Sequence, residues 1–291
     1  MRPWIIRPMK WSDTYQSAFI ASRAYHHTKF TEFLSPGRRQ YPQDYVRGFN
    51  QRISSRLLEA NNRSWVAVTE DEPNVPIAYM QCARLGDDEG AKAVIAEKKS
   101  IWQTVCEVVY KAWVKYFTKI WPDRSGMDEA SMEIFLKSTE GEDEKHWNNY
   151  PERSNRWYCR SMVVSQEFQR RGVGRALMSE VTNRADEQQV PIQIEASPEG
   201  EPLYRSVGFE LLDRFQIAFG ESERNAGGVM IYWPKNMEKE VGTSKTTVVK
   251  KQEMTEELKK EVEEEIKEDS QKKHLEIEPV VVEVPAELQE Y

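Results

Sequence analysis

The sequence predicts an α/β fold of the α+β kind, with a mixed, mostly antiparallel central sheet and helices on both faces. Strand-like runs rich in Val, Ile, Trp and Tyr recur along residues 1–235, and helical patterns stand between them. A helical insertion at about 86–150 interrupts the strands. A Glu/Lys-rich, acidic tail over 236–291 follows them, so one domain over 1–235 with a tail is expected.

The N-terminal part is predicted to contain an edge strand, two helices and a β-hairpin. Short apolar runs with β-branched and aromatic residues indicate the strands, and apolar residues at helical spacing indicate the helices. Ser12 and Asp13 are suited to cap the first helix. In chain order, the strand, the two helices and the two hairpin strands are expected over residues 4–7, 14–33, 43–60, 64–69 and 76–83.

The predicted insertion is dominated by one amphipathic pattern. Apolar and aromatic residues recur every three or four positions from Ile95 to Ile120, which indicates a long helix. Pro122 and Gly126 end the pattern, and a further helix is expected over about 128–137. The aromatic stripe of the long helix is interpreted as core packing, and a wall or lid over a substrate pocket is the functional alternative.

Beyond the insertion, strands are expected on both sides of a short glycine-containing segment. The segment is Gln169-Arg170-Arg171-Gly172-Val173-Gly174, and the helix that it opens runs to about Arg184. A second, short helix is expected over 203–207, and Gly208 is suited to end it in the left-handed conformation. In chain order, the strands are expected over residues 156–164, 191–196, 209–219 and 229–233.

Charge is distributed unevenly along the 291 residues, which carry a formal net charge of −7. Residues 236–291 contain 9 Lys and 16 acidic residues, so the whole formal charge lies in the tail and residues 1–235 are neutral. A neutral body lacks the large basic face that nucleic-acid binding needs, so no nucleic-acid partner is expected. The tail is predicted to be disordered or loosely helical and to be available to an unidentified protein partner.

Cysteine usage and hydropathy indicate a soluble protein of a reducing compartment. Cys82, Cys106 and Cys159 lack CxxC spacing and the four histidines lack metal-ligand spacing, so neither a disulfide framework nor a metal site is expected. The first residues lack the apolar core of a signal peptide, and no run approaches the roughly 20 apolar residues of a membrane helix. We expect a cytoplasmic protein, with a nuclear location as the alternative, and no membrane partner; the oligomeric state is left open.

The glycine-containing segment has the features of an anion-binding loop. Two glycines one residue apart let the backbone approach a ligand closely, and the first N–H groups of the following helix lack intrahelical partners. Those donors and the positive end of the helix dipole favour a phosphate or diphosphate. Arg170, Arg171 and Arg175 add positive charge, so a diphosphate site is predicted here.

A second segment makes the motif order more specific. Pro202-Leu203-Tyr204-Arg205-Ser206-Val207-Gly208-Phe209 follows the glycine loop, with one predicted strand between them. With both segments in this order, the sequence resembles the GNAT superfamily of acyl-CoA N-acyltransferases over about residues 4–235. The loop matches the family pattern Q/R-x-x-G-x-G/A, and the second segment matches its Leu-Tyr…Gly-Phe pattern. The run from Glu195 to Tyr204 is most similar to small-molecule-type GNAT proteins of fungi. A Rossmann dinucleotide loop is disfavoured, because Leu177 occupies its third glycine position.

The resemblance implies a binding mode for acetyl-CoA as co-substrate. The loop amides would hold the pyrophosphate, and the strand before the loop would diverge from its neighbour near residues 194–196. Pantetheine would then pair with the exposed strand edge, as an added strand does. The expected cofactor-binding residues are Met162, Val163, Val164, Gln169, Arg170, Arg171, Gly172, Val173, Gly174, Arg175 and Tyr204.

The resemblance also implies direct attack of a neutral amine on the acetyl thioester. Tyr204 matches the family tyrosine near the sulfur, where its phenol would protonate the departing thiolate; a buried structural tyrosine is the alternative. Many relatives carry a carboxylate or histidine on the strand before the loop, but this chain has Arg160 and Ser161 there. Glu195 is the nearest candidate base, and a solvated or salt-bridged strand glutamate is the alternative.

The predicted function is therefore that of an acetyl-CoA-dependent N-acetyltransferase. A small-molecule amine is favoured as acceptor, because a bulky aromatic insertion would narrow the pocket. A protein N-terminal or lysine acetyltransferase is the alternative within the same class. A non-catalytic acyl-CoA-binding or interaction module is the alternative from another class, and the missing carboxylate at Arg160 and Ser161 favours it.

Overall fold

The computed structural model describes residues 4–126, 144–215, 226–235 and 237. This part of the chain contains a sheet of seven strands in the order β1-β2-β3-β4-β5-β7-β6. The strands are β1 (Trp4–Pro8), β2 (Asn62–Thr69), β3 (Pro76–Leu85), β4 (Arg156–Val164), β5 (Ile192–Ala196), β6 (Phe209–Asp213) and β7 (Gly228–Tyr232). Neighbouring strands are antiparallel except β4 and β5, which are parallel. The predicted fold class is confirmed.

Helices cover both faces of the sheet. The α-helices of the described residues are α1 (Thr14–Tyr25), α2 (Lys29–Leu34), α3 (Pro42–Leu58), α4 (Glu89–Lys98), α5 (Ile101–Ile120), α6 (Val173–Gln188) and α7 (Glu201–Val207). On one face, Leu177 of α6 belongs to a buried cluster with Ile192 and Ile194 of β5. On the other face, Ile20 and Ile53 of α1 and α3 pack with other strand residues. Because strand side chains alternate between faces, β2, β3 and β4 contribute to both clusters.

The first predicted helix is two helices, α1 and α2. Thr28 begins the second one, and its hydroxyl accepts a hydrogen bond from the Thr31 N–H at 3.1 Å. The predicted capping role of Asp13 is wrong. Its buried carboxylate accepts from the Lys10 N–H at 2.6 Å and forms an ion pair with Arg7 at 2.7 Å, so it is turned toward β1 instead of α1.

The long helix predicted from Ile95 onward is also two helices, α4 and α5. Ser100 separates them, and its hydroxyl caps α5 by accepting from the Gln103 N–H. No side chain of α5 is buried, and Ile101 and Trp102 are 84% and 79% exposed. The interpretation of the aromatic stripe as core packing is therefore wrong, because α5 touches the body along one narrow side only.

Two sequence predictions lie outside the described residues. These are the helix over 128–137 and, apart from Met237, the tail over 236–291. The end of the strand predicted over 209–219 also falls there. Within the described ranges, no helix combines the length and the apolar content needed to cross a membrane.

Candidate active site

The sheet opens between β4 and β5. The two strands pair only from Trp157 to Cys159 on β4 and from Ile192 to Ile194 on β5. Beyond Cys159, β4 continues to Val164 against β3 alone, while β5 continues against β7. In the described chain, the predicted Met162, Val163 and Val164 therefore lie on a strand edge without a β5 partner. This is the divergence that the family resemblance implied, and its backbone can pair with an extended ligand.

A β-bulge lies where β4 leaves β5. Gln81 pairs with Ser161 and Cys82 pairs with Cys159, so Arg160 is the extra residue of the bulge. A bulge re-aims a side chain and bends its strand. Here Arg160 forms an ion pair with Glu59, just after α3. The position at which the family resemblance suggested a carboxylate or histidine thus carries an arginine that is paired with a carboxylate.

The two loop glycines are required for different reasons. Gly172 has φ +87°, a left-handed conformation that other residues rarely adopt, although a Cβ there would meet no atom within 4 Å. Gly174 is buried, and a Cβ there would lie 2.9 Å from Cδ2 of Leu203. Gly172 thus permits the turn into α6, and Gly174 permits close packing of α6 against α7.

The remaining loop residues surround the N-terminus of α6. Arg170 has φ +61°, and the Gln169 amide donates to the Val164 carbonyl at 3.1 Å, tying the loop to the end of β4. Arg171 lies 5.6 Å from the Phe168 ring. Arg175 donates to the Ser206 hydroxyl at 2.9 Å. Val173 is buried, whereas the three loop arginines are exposed, so positive charge collects at the positive end of the helix dipole.

Tyr204 lies on α7 and is only 6% exposed. Its ring lies 5.7 Å from that of Phe209, and it shares a buried cluster with Cys82 and Cys159. Burial raises the pKa of Tyr204 well above its usual value, and the neighbouring Cys159, Tyr25 and Cys82 act in the same direction. The phenol is therefore protonated at neutral pH and can act as a proton donor.

Glu201 is the first residue of α7 and lies just before the helix expected over 203–207. Its buried carboxylate accepts from Arg214 at 2.5 Å, from Arg205 at 2.7 Å and from the Gly227 N–H at 2.6 Å. These bonds, led by that from Arg214, lower the pKa of Glu201 to about 2. They fix the first turn of α7, which carries Tyr204. The spacing of Glu201 and Arg205, four residues apart, was the available local signal.

The candidate base Glu195 does not lie on the Tyr204 face of the sheet. Ile194 and Ala196 belong to the buried cluster of Tyr204, so Glu195 between them projects to the other face. Glu195 is exposed, and its carboxylate accepts from the Gln193 amide at 2.9 Å. The structure therefore does not bring Glu195 and Tyr204 together on one face, and the base role stays a prediction.

The sequence did not indicate a role for Tyr79 and Tyr25, which lie on the sheet face that α1 and α3 cover. The Tyr79 hydroxyl lies 2.8 Å from the Ser161 hydroxyl, and either can donate. Burial raises the pKa of Tyr79 and that of Tyr25, so both phenols are protonated at neutral pH. Ser161 thus sits at the opening with a buried hydroxyl partner. Among the described residues, no three His, Cys, Asp or Glu side chains are grouped to hold a metal ion.

Residues 150–220, which include β4, the glycine loop, β5 and α7, match the family profile of an acetyltransferase (GNAT) domain. Over this segment, the chain is similar to the acetyltransferase (GNAT) domain. The match confirms the resemblance to this superfamily and supports an acyltransferase enzyme; the narrower resemblance to fungal members stays a prediction. No protein of curated function matches the sequence.

Solved acetyltransferase structures match the chain at low identity. One is a histone acetyltransferase HPA2 and related acetyltransferase from Corynebacterium glutamicum, with 14% identity, a TM-score of 0.49 and coverage of 80% of this chain and 97% of that one. A GNAT-family acetyltransferase from Staphylococcus aureus has 12% identity, a TM-score of 0.40 and coverage of 80% and 99%. The PaiA N-acetyltransferase from Thermoplasma acidophilum, solved with coenzyme A, has 7% identity, a TM-score of 0.40 and coverage of 79% and 98%. The assignment rests on the matched segment.

Proposed function

We propose that the protein is an N-acetyltransferase that uses acetyl-CoA and transfers the acetyl group to an amine by direct attack on the thioester. The proposal rests on the positions of three neighbouring features of the fold. The glycine loop at the N-terminus of α6 adjoins the unpaired edge of β4, and buried Tyr204 of α7 belongs to the same core cluster as residues of α6 and β5. A diphosphate, an extended amide chain and a thioester would meet these three features in turn.

The transfer needs a neutral amine, stabilisation of the tetrahedral oxyanion and a proton for the thiolate. The amine nitrogen bonds to the acetyl carbon, the carbon–sulfur bond breaks, and the phenol of Tyr204 gives its proton to sulfur. The amine would lose its own proton to water, because Arg160 is a guanidinium cation that cannot accept a proton and Glu195 faces the other side of the sheet. A backbone N–H of Met162 to Val164 would donate to the oxyanion.

Cofactor binding is tested with the double variant Gly172→Asp/Gly174→Asp. Two carboxylates would repel the diphosphate, and a side chain at Gly174 would collide with Leu203. We expect the Kd for acetyl-CoA, measured by titration calorimetry, to rise at least tenfold. The matched control is Ser179→Asp/Asn183→Asp, which adds the same charge on exposed positions of α6 outside the loop. Unchanged affinity in the loop variant would remove the loop from the binding site.

A small-molecule amine remains our first proposal for the acceptor. The aromatic residues of α5 do not support this choice by narrowing the pocket, because no side chain of α5 is buried. The enclosed setting of the opening supports it instead, since Tyr79 is only 1% exposed at the Ser161 contact. Thiol release from acetyl-CoA with a panel of amines and lysine-containing peptides separates a small-molecule enzyme from a protein acetyltransferase. Binding of acetyl-CoA without release for any acceptor would favour a non-catalytic module.

A further inference from the structure

Two arginines of α3 lie one helical turn apart on the sheet face opposite α6. Arg56 donates to the carbonyl oxygen of Arg160, the bulge residue of β4, at 3.4 Å. The guanidinium carbon of Arg52 lies 4.7 Å from the centre of the Phe49 ring. Both arginines act on the ionisation of Tyr79, whose hydroxyl contacts Ser161. The pair therefore adjoins the bulge at which β4 parts from β5.

Neither arginine has a carboxylate at ion-pair distance among the described residues. The nearby acids have other partners: Asp44 pairs with Arg47 and Arg124, and Glu59 pairs with Arg160. Asp123 acts on Arg52 only at longer range, and its carboxylate accepts from Ser125. Within the described part of the chain, the two guanidinium groups beside the opening thus have no ion-pair partner.

The arrangement has an energetic cost in the absence of an anion. Arg52 is exposed along part of its length, yet desolvation lowers its pKa, and the positive charge of Arg56 lowers it further. Like charges four residues apart on a helix are destabilising. A bound anion would remove this repulsion, because a guanidinium pairs well with carboxylate or phosphate oxygens.

Tyr25 on the α1/α3 face, the side of the sheet that Arg56 occupies, lies close enough to Tyr204 to act on its ionisation. Cys159, the last β4 residue paired with β5, acts on both tyrosines. Arg56 reaches the Arg160 carbonyl at the bulge where β4 leaves β5, so an acceptor that enters from the α1/α3 face would approach beside this arginine.

We infer that Arg52 and Arg56 bind an anionic group, a carboxylate or a phosphate, on the acceptor amine. The inference rests on the proposed function and names its substrate class: small amines that also carry a negative charge. The same two cations would disfavour the ammonium form of the acceptor. This would help to supply a neutral amine in a site where Arg160 and Ser161 replace a carboxylate base.

The test uses acceptors that differ only in the anion. Phenylalanine with phenethylamine, lysine with cadaverine, and phosphoethanolamine with ethanolamine are compared by thiol release from acetyl-CoA. We expect the anionic member of at least one pair to have a kcat/KM at least tenfold higher. Arg56→Gln and Arg52→Gln should raise the KM of that acceptor at least tenfold, since a hydrogen bond to a charged group is lost. The KM of its uncharged counterpart and that of acetyl-CoA should not change.

Three controls separate anion binding from a structural role. Arg47→Gln removes an arginine of α3 that already pairs with Asp44, and it should leave the acceptor KM unchanged. Arg56→Lys keeps the charge and should restore part of the affinity. The double variant Arg52→Gln/Arg56→Gln should have an unchanged or higher Tm, because a like-charge pair is removed. A lower Tm with an unchanged acceptor KM would overturn the inference.

A second readout does not depend on turnover. Inorganic phosphate should raise the Tm of the wild-type chain more than that of the double arginine variant, and equal shifts would contradict the inference. The inference would also be overturned if the wild type had equal kcat/KM for charged and uncharged amines and Arg56→Gln did not change these values. The proposed acetyltransferase function would stand in that case. If no amine releases thiol and the loop variant binds acetyl-CoA normally, the proposed function fails, and the inference fails with it.

Discussion

At the scale of single residues, Tyr204 is placed to donate a proton and not to accept one. Its ring is held by Phe209 and by the turn at Gly200, where a Cβ would lie 2.9 Å from the tyrosine ring. Burial keeps the phenol protonated, because its pKa is raised well above the usual value. A thiolate leaving group needs such a donor, and a phenylalanine in the same place would keep the packing while removing the proton.

Tyr204→Phe is therefore expected to lower kcat by about 100-fold, in the range for loss of a general acid. The Kd for acetyl-CoA should stay within about twofold, because we propose that the pyrophosphate binds at the loop before α6 and not at Tyr204. Steady-state kinetics and calorimetry check the two quantities. Tyr232→Phe is the matched control, since Tyr232 packs on the same Phe209 ring but its hydroxyl donates to Asp186 at 2.9 Å. Unchanged turnover in Tyr204→Phe would exclude a proton-donor role.

At the scale of elements, local patterns predicted the strands and the loop well. The predicted bounds of β4, 156–164, are those observed, and Gly208 ends α7 with φ +106° as expected. These features depend on neighbouring residues: an apolar run bounded by polar ones, and a glycine after a short helix. The glycine loop was found for the same reason, because strand, loop and helix are consecutive in sequence.

Features built from distant residues were missed or misjudged. Tyr79 and Ser161 are 82 positions apart, and Glu201 bonds to Arg214 and Gly227 across turns that no local pattern specifies. The periodicity of α5 correctly indicated a helix. It did not reveal that no other described element covers the apolar side, because burial depends on what packs against a helix.

Element α5 is predicted to tolerate charge on its apolar side. Val109 is 60% exposed, so Val109→Lys should change the free energy of unfolding by less than about 0.5 kcal/mol in urea titrations. The matched control is Ile53→Lys on α3, where the side chain is 2% exposed and a buried charge should destabilise by several kcal/mol. Equal losses in the two variants would show that α5 is covered in solution.

At the scale of the whole molecule, several carboxylates with lowered pKa values form hydrogen bonds between distant segments of the chain. Their ionisation makes the folding stability depend on pH. The pKa of Glu201 falls from 4.5 to about 2 through Arg214, Gly227 and Arg205. The pKa of Asp44 is lowered by Arg124, and that of Asp186 by its bonds to Lys235 and Tyr232, against the effect of burial. Each of these carboxylates is ionised more readily in the folded chain than in the unfolded chain. Its contribution to folding stability is therefore fully present above the unfolded pKa and is lost as pH falls through the folded pKa.

Glu201→Gln is predicted to isolate the largest of these contributions. Stability from Glu201 should be present above about pH 4.5 and be lost as pH falls toward 2, because protonation of the folded chain begins there. Since Arg205 and Arg214 are partly solvated, we expect a loss of about 2 kcal/mol at pH 7 in the variant. The free energies of unfolding of the wild type and the variant, measured by urea titration between pH 7 and 2, should converge as the pH falls.

Glu89→Gln is the matched control, because Glu89 pairs with Lys92 while 91% exposed. This variant should have the same pH dependence of stability as the wild type. Parallel curves for Glu201→Gln would mean that its role is packing alone, and α7 would then hold Tyr204 without help from charge.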